Sequence, residues 1–140
     1  MDNNGETDGP PGLCFVVTSH DPLAHDLRDR IAEPAIHKAG LLVLRSDDVE
    51  LGDRHAPTIW TSIEKSAAIL AVVTAQSPHV FYELGIAHGL GKKTLVVVTE
   101  NIELPVDTSE MNVFYVDGDA LENRELPAKL AEILKPAGRG

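Results

Sequence analysis

The chain holds a single cysteine, Cys14, so it has no internal disulfide, which fits a reducing, cytoplasmic setting. Cys14 lies inside an apolar run, where an inert buried thiol is expected rather than a nucleophile. No apolar run approaches the roughly 20 residues of a membrane span. The opening MDNNGETDGPPG is acidic and polar with no hydrophobic segment, so no secretory signal is expected, and residues 1–11 read as a disordered tail. Basic residues are scarce, 12 Lys and Arg against 22 Asp and Glu, for a net charge of −10. That field repels phosphate backbones and argues against nucleic-acid binding, while leaving room for a small anionic ligand held by local amides. Neither a Gly-x-Gly-x-x-Gly nor a Walker loop is present, which removes the usual dinucleotide and ATP fingerprints. No His, Cys or Asp cluster has metal-ligand spacing along the chain, so no metal and no cofactor are expected.

What is present is ordinary for one globular domain: 140 residues, 43% apolar and 24% charged. The domain is expected over residues 12–135, with a short tail at 136–140. Its centre is the stretch Ala68 to Val98, in which two β-branched runs flank one short helix. Ile69-Leu70-Ala71-Val72-Val73 shows no polar alternation and reads as a strand covered on both faces, as in a parallel sheet. Strand, helix and strand in about thirty residues make a βαβ unit. Leu13 to Thr18 reads as the first strand, with Asp21-Pro22 as the cap and first residue of a helix running to about Ala39. Leu23, Leu27, Ile31 and Ala35 form its core face, Pro34 should kink or split it, and Gly40 should end it in the left-handed conformation.

Leu41–Leu44 is the expected second strand, Val49 to Pro57 a loop and candidate lid, and Thr58 to about Ser66 a short helix with Ile59 and Ile63 inward. A fifth strand over Val113–Val116 and a last helix from Leu121 or Leu126 to Leu134 follow, with Leu126, Leu130, Ile133 and Leu134 as its core face. Five strands alternating with helices predict a doubly wound, five-stranded parallel α/β sheet with helices on both faces, in the flavodoxin-like order 2-1-3-4-5. Ligands of such sheets bind outside the carboxyl ends of the strands, at the switch point between strands 1 and 3.

There the chain places Thr18, Ser19 and His20 after strand 1, Arg45, Asp47 and Asp48 after strand 2, and Thr74, Gln76, Ser77 and His79 after strand 3. Ser77-Pro78 reads as the cap and first residue of the central helix, whose free amides favour an anion. Val80, Leu84 and Ala87 should pack on the sheet. Glu83 shares the adjoining row with His79 and Ala87, turned toward the strand ends. Its apolar and aromatic neighbours Phe81, Tyr82, Leu84 and Ile86 would raise the pKa of an inward acid and suit it to act as acid, base or nucleophile, whereas a solvated helix glutamate is the plain reading. Gly85 and Gly89 suggest close packing on a strand or partner helix. His88 lies about 140° around the helix from Glu83 and reads as a structural or interface histidine. Trp60 reads as core or interface packing, with stacking on a base as the alternative.

Arg45-Ser46-Asp47-Asp48, Ile59-Trp60-x-x-Ile63, the block Ser77-Pro78-His79-Val80-Phe81-Tyr82-Glu83-Leu84-Gly85-Ile86-Ala87-His88-Gly89-Leu90-Gly91-Lys92, and Leu104-Pro105-Val106-Asp107 together resemble a bacterial group of small proteins. These are similar to the nucleoside 2-deoxyribosyltransferases and, more distantly, to TIR and TIR-like nucleotide-binding domains, over about residues 13–116. In the transferases the equivalent glutamate is the nucleophile that takes the deoxyribosyl group. In enzymatic TIR domains a helix glutamate supports cleavage of the nicotinamide–ribose bond of NAD. The resemblance implies N-glycosidic chemistry at Glu83, with sugar and base held by Ser19, Asp47, Asp48, Gln76 and His79. The group usually carries acids where this chain has Ala67 and Val72, and Asn-Pro-Asn has become Ser77-Pro78-His79, which leaves Thr74, Gln76 or Asp47 to take the missing acid's place. Two functions follow: an enzyme on a nucleoside, nucleotide or NAD, or a non-catalytic nucleotide-binding or signalling module. A homodimer or larger homo-oligomer is compatible with both.

Overall fold

The computed structural model describes residues 11–50, 58–104 and 109–136. The expected N-terminal tail to residue 10, the lid residues 51–57 and the tail at 137–140 lie outside them. In chain order the elements are β1 (Leu13–Thr18), α1 (Pro22–Leu27), a π-helical turn (Arg28–Ala32), α2 (Glu33–Lys38), β2 (Leu42–Arg45) and α3 (Ser46–Glu50), then α4 (Ile59–Lys65), β3 (Ala68–Val73), α5 (Pro78–Gly89), β4 (Lys93–Thr99), β5 (Asn112–Val116), a 3-10 turn (Gly118–Glu122) and α6 (Leu126–Leu134). The strands form one parallel sheet in the order β2-β1-β3-β4-β5, the expected doubly wound arrangement, with the chain reversing direction across the sheet between β1 and β3.

The strands alternate between two cores. Cys14, Val16, Leu70, Val72, Leu95 and Val97 face one side, where α1, the π turn, α2 and α6 supply Leu27, Ile31, Ile36, Leu130 and Leu134. Phe15, Val17, Ile69, Val73, Val96 and Val98 face the other, against Ile63 of α4 and Val80, Leu84 and Ala87 of α5. Every residue of β3 is buried, which is why its sequence carries no polar alternation. Burial pushes the Cys14 thiol up to about 12, as expected of an inert core cysteine. No helix among the described residues is long and apolar enough to cross a membrane.

Pro34 divides the first helical segment, as its missing N–H and ring dictate. The division takes the form of a wider turn just before it: the Glu33 amide donates to the Arg28 carbonyl five residues back, and Pro34 is the second residue of α2. Gly40 has φ of 82°, and its φ > 0 allows the tight return into the edge strand. β2 covers Leu42–Arg45, one residue later than expected, and Ser46–Glu50 form a short helix where Val49 and Glu50 were expected in a loop. The last helical segment is two pieces, and Leu126, Leu130 and Leu134 of α6 are buried with Ile133 packed at their edge.

Candidate functional site

The carboxyl ends of β1 and β3 are bound to each other by a polar lattice. The Ser19 amide donates to the Val72 carbonyl at 2.9 Å. The Ser19 hydroxyl accepts from the Thr74 amide at 3.1 Å and donates to the Ala75 carbonyl at 3.3 Å. Asp21 caps α1 by accepting from the Ala24 amide at 2.9 Å, and its other oxygen accepts the Thr74 hydroxyl in a short hydrogen bond. Ser19 and Thr74, both expected to bind substrate, spend their hydroxyls on this scaffold. Thr18 differs: its Oγ1 is buried with no hydrogen-bond partner among the described residues.

Glu83 is 3% exposed. Helix α5 turns it inward because Val80, Leu84 and Ala87 hold the helix on the sheet and Glu83 occupies the flank of that face. Its Oε1 accepts the hydroxyl of Ser46, itself buried, at 2.9 Å. Ser46 opens α3 immediately after β2, so the second and third crossovers meet at this carboxylate. Burial disfavours a charged carboxylate and hydroxyl donation favours it, so Ser46 offsets part of the desolvation cost.

One helical turn before Glu83, His79 Nε2 lies 3.1 Å from the Thr18 carbonyl. A carbonyl only accepts, so Nε2 carries a hydrogen and Nδ1 is the remaining lone-pair site of a neutral ring. The exposed His20 ring stacks on His79 with centroids 4.6 Å apart and planes 5° from parallel. His20 also meets His25 edge-on at 6.3 Å. Ligand atoms of His20, His25 and Asp47 all fall within 4.8 Å of one another. The expectation of no metal cluster came from spacing along the chain, and the fold brings together three residues that the spacing separates.

Arg45 pairs with acids of the first helical segment. Its Nε and Nη2 form a fork on Glu33 of α2 at 2.6 and 2.9 Å, with Asp29 at 3.4 Å, and the Glu33 hydrogen bond raises its pKa. Neighbouring Arg28 bonds Asp29 at 2.8 Å, holding that carboxyl below its usual range, and lies 3.9 Å from Asp47. Asp48 is exposed. The Gln76 amide donates to the Glu103 carbonyl at 3.2 Å, tying the β3–α5 loop to the segment after β4. Ser77 stands at the cap position of α5, but its hydroxyl donates back to the Ala75 carbonyl at 3.2 Å instead of capping.

The remaining expectations on α4 and α5 concern surfaces. Gly85 and Gly89 are exposed, and a Cβ at either would meet nothing within 4 Å, so no close packing among the described residues explains them. Trp60 is 51% exposed and so is not a core residue. His88 is exposed, 3.0 Å from Glu110. Ala67 is exposed and Val72 buried, so of the two positions singled out in the sequence, only the second lies inside the fold. Hollows of about 570 Å³ border the 3-10 turn and α6 near β5 and the π turn, with Phe114, Asp117 and Lys129 on one and Arg30 and Arg124 on another. They lie away from Glu83 and share none of its polar neighbours.

Sequence reasoning missed Ser46, Asp21 and His25 as members of this cluster. Ser46 sits inside the strand-end run Arg45-Ser46-Asp47-Asp48, and its place at a carboxyl end was the available signal. The chain matches no protein-family model and no curated protein sequence.

Proposed function

We propose that the chain binds a nucleoside or nucleotide at the carboxyl ends of β1, β2 and β3 and cleaves or transfers its N-glycosidic bond, with Glu83 as the reacting carboxylate. The observation that supports this reading is Glu83 itself, an acid 3% exposed, turned inward at the strand ends and oriented by the Ser46 hydroxyl. As the C1′–N bond breaks, its electron pair leaves with the base; the base of a nucleoside or nucleotide takes up a proton from solvent, whereas the cationic nicotinamide of NAD leaves neutral and needs none. The cationic C1′ is then either ion-paired by the carboxylate or captured by it as a glycosyl ester, and water or a second base releases the sugar. The outer face of His20, already stacked on His79, is a flat platform for a base. In this reading Asp47 and Asp48 accept hydrogen bonds from sugar hydroxyls. The resemblance to nucleoside 2-deoxyribosyltransferases and TIR-like domains points to the same bond, in deoxynucleosides or in NAD, and a cytoplasmic setting accords with it.

The second reading is a nucleotide-binding module without turnover. The hydrogen bond that fills Glu83 Oε1 and the low exposure of that carboxylate favour it, since both hold the acid within the fold. Incubation with 2′-deoxynucleosides, nucleoside monophosphates and NAD, following free base by chromatography, separates the two. Base release that disappears in a folded Glu83→Gln variant supports the enzyme. Tight binding of one nucleotide with no base released supports the module. Release undiminished in Glu83→Gln overturns the role given to that residue.

A further inference from the structure

The geometry points to a divalent transition-metal site built from His20, His25 and Asp47 at the carboxyl ends of β1 and β2, sharing His20 and Asp47 with the proposed nucleotide site. Each residue comes from a different position around the ends of β1 and β2: His20 from the turn after β1, His25 from α1, and Asp47 from α3 after β2. Their ligand atoms lie within 4.8 Å of one another. Around a zinc-like ion, bond lengths of about 2.0–2.2 Å put neighbouring donor atoms about 3–4 Å apart, so closing the set asks for a shift of roughly an ångström. His20 is exposed and Asp47 half-buried, so neither is locked inside the core.

A second observation points to a ligand. His25 Nε2 is buried, and no group among the described residues hydrogen-bonds to it. Desolvating an imidazole nitrogen without a partner is costly, and a metal bond would satisfy it. The other contacts of the triad do not compete strongly. Stacking on His79 uses the face of the His20 ring, whereas coordination uses a lone pair in the ring plane. Arg28 holds Asp47 only at 3.9 Å and is itself held more closely by Asp29 at 2.8 Å. Its charge opposes a cation here, while the net charge of −10 favours one. Two imidazoles and one carboxylate suit Zn²⁺, Co²⁺ or Ni²⁺ in preference to Mg²⁺, and three protein ligands leave at least one coordination position for water or an anion.

The test is calorimetric titration of the untagged, metal-stripped full chain with ZnCl₂, and separately with MgCl₂, in the absence of nucleotide. One Zn²⁺ per chain is expected, weakened about tenfold or more in His20→Ala and in Asp47→Ala, with no comparable Mg²⁺ binding. His20 is exposed, so its removal leaves folding intact, which far-ultraviolet circular dichroism verifies. Absence of stoichiometric Zn²⁺ binding, affinity unchanged in both variants, or Mg²⁺ binding of equal strength would each overturn the site. The titration contains no nucleotide, so its failure leaves the N-glycosidic reading standing, and loss of that reading leaves the metal site standing.

Discussion

Helices α1 and α5 leave the two strands at the switch point, pack on opposite faces of the sheet, and open with the same device, a polar residue followed by proline. They use it differently. Asp21 caps α1 with one carboxylate oxygen and holds Thr74 of the neighbouring loop with the other. Ser77 leaves α5 without a side-chain cap and turns its hydroxyl back into the loop. On the α1 side the charges pair with one another, Arg28 with Asp29 and Arg45 with Glu33. On the α5 side a carboxylate is buried under a hydroxyl. The first helix is built into the scaffold, and the second keeps its polar groups at the end of the sheet where a ligand would sit.

The largest effect expected is on the α5 side and concerns activity rather than folding. Glu83→Gln keeps a carbonyl oxygen for the Ser46 hydroxyl, so its unfolding free energy should stay within about 1 kcal/mol of the parent. Base release should fall on the order of a thousandfold or more, about 4 kcal/mol in transition-state free energy. Denaturant unfolding and product chromatography on one preparation check both halves, and a large stability loss with activity kept would reverse the assignment. On the α1 side the expectation inverts. Asp21→Ala removes a cap and the acceptor of the Thr74 hydroxyl, and should cost about 2 kcal/mol in urea unfolding.

Much of this division was legible in the sequence, for local reasons. The strands read clearly because β1, β3 and β4 hold apolar runs rich in β-branched residues and almost wholly buried. Asp21-Pro22 and Gly40 read clearly because caps and φ > 0 are properties of single positions. Pro34 announced a break, but not that the helix would widen into a π turn ahead of it. The contacts that define the site are long-range and were not legible. Ser46 meets Glu83 across 37 residues, and no periodicity encodes that pairing. Arg45 was placed with the ligand because it stands at a strand end, yet its fork finds Glu33, 12 residues earlier, on the helix that packs beside β2. His25 belongs with His20 and Asp47 only after α1 and α3 converge.

A smaller effect separates the two faces by pH. Cys14 lies in the core shared with α1, and its thiol stays protonated to about 12 against a reference value of 9.0. In the unfolded chain the thiol ionises above about 9 while the folded chain keeps its proton. The contribution is therefore complete below pH 9 and is lost as pH rises, by about 1.4 kcal/mol per unit between the two values. Unfolding free energies from urea titrations at pH 8 and pH 10 should differ by about that amount from this residue, and Cys14→Ala should remove that part of the slope. A slope that is the same in the variant would assign alkaline sensitivity to other groups.

Ser77→Ala should have the smallest effect on stability, about 0.5 kcal/mol or less, although Ser77 occupies the same formal position as Asp21. Its hydroxyl caps nothing in α5, and the Ala75 carbonyl that it bonds also accepts from Ser19, so that oxygen keeps a partner when the hydroxyl is removed. The two alanine variants therefore test whether equal sequence signals carry equal weight. A loss near 2 kcal/mol in Ser77→Ala would show that the hydroxyl caps α5 in solution and that the two helix starts are alike. A near-zero loss of stability together with weakened nucleotide binding would place this hydroxyl with the ligand, because a group the fold does not need at the end of the sheet is free to serve what binds there.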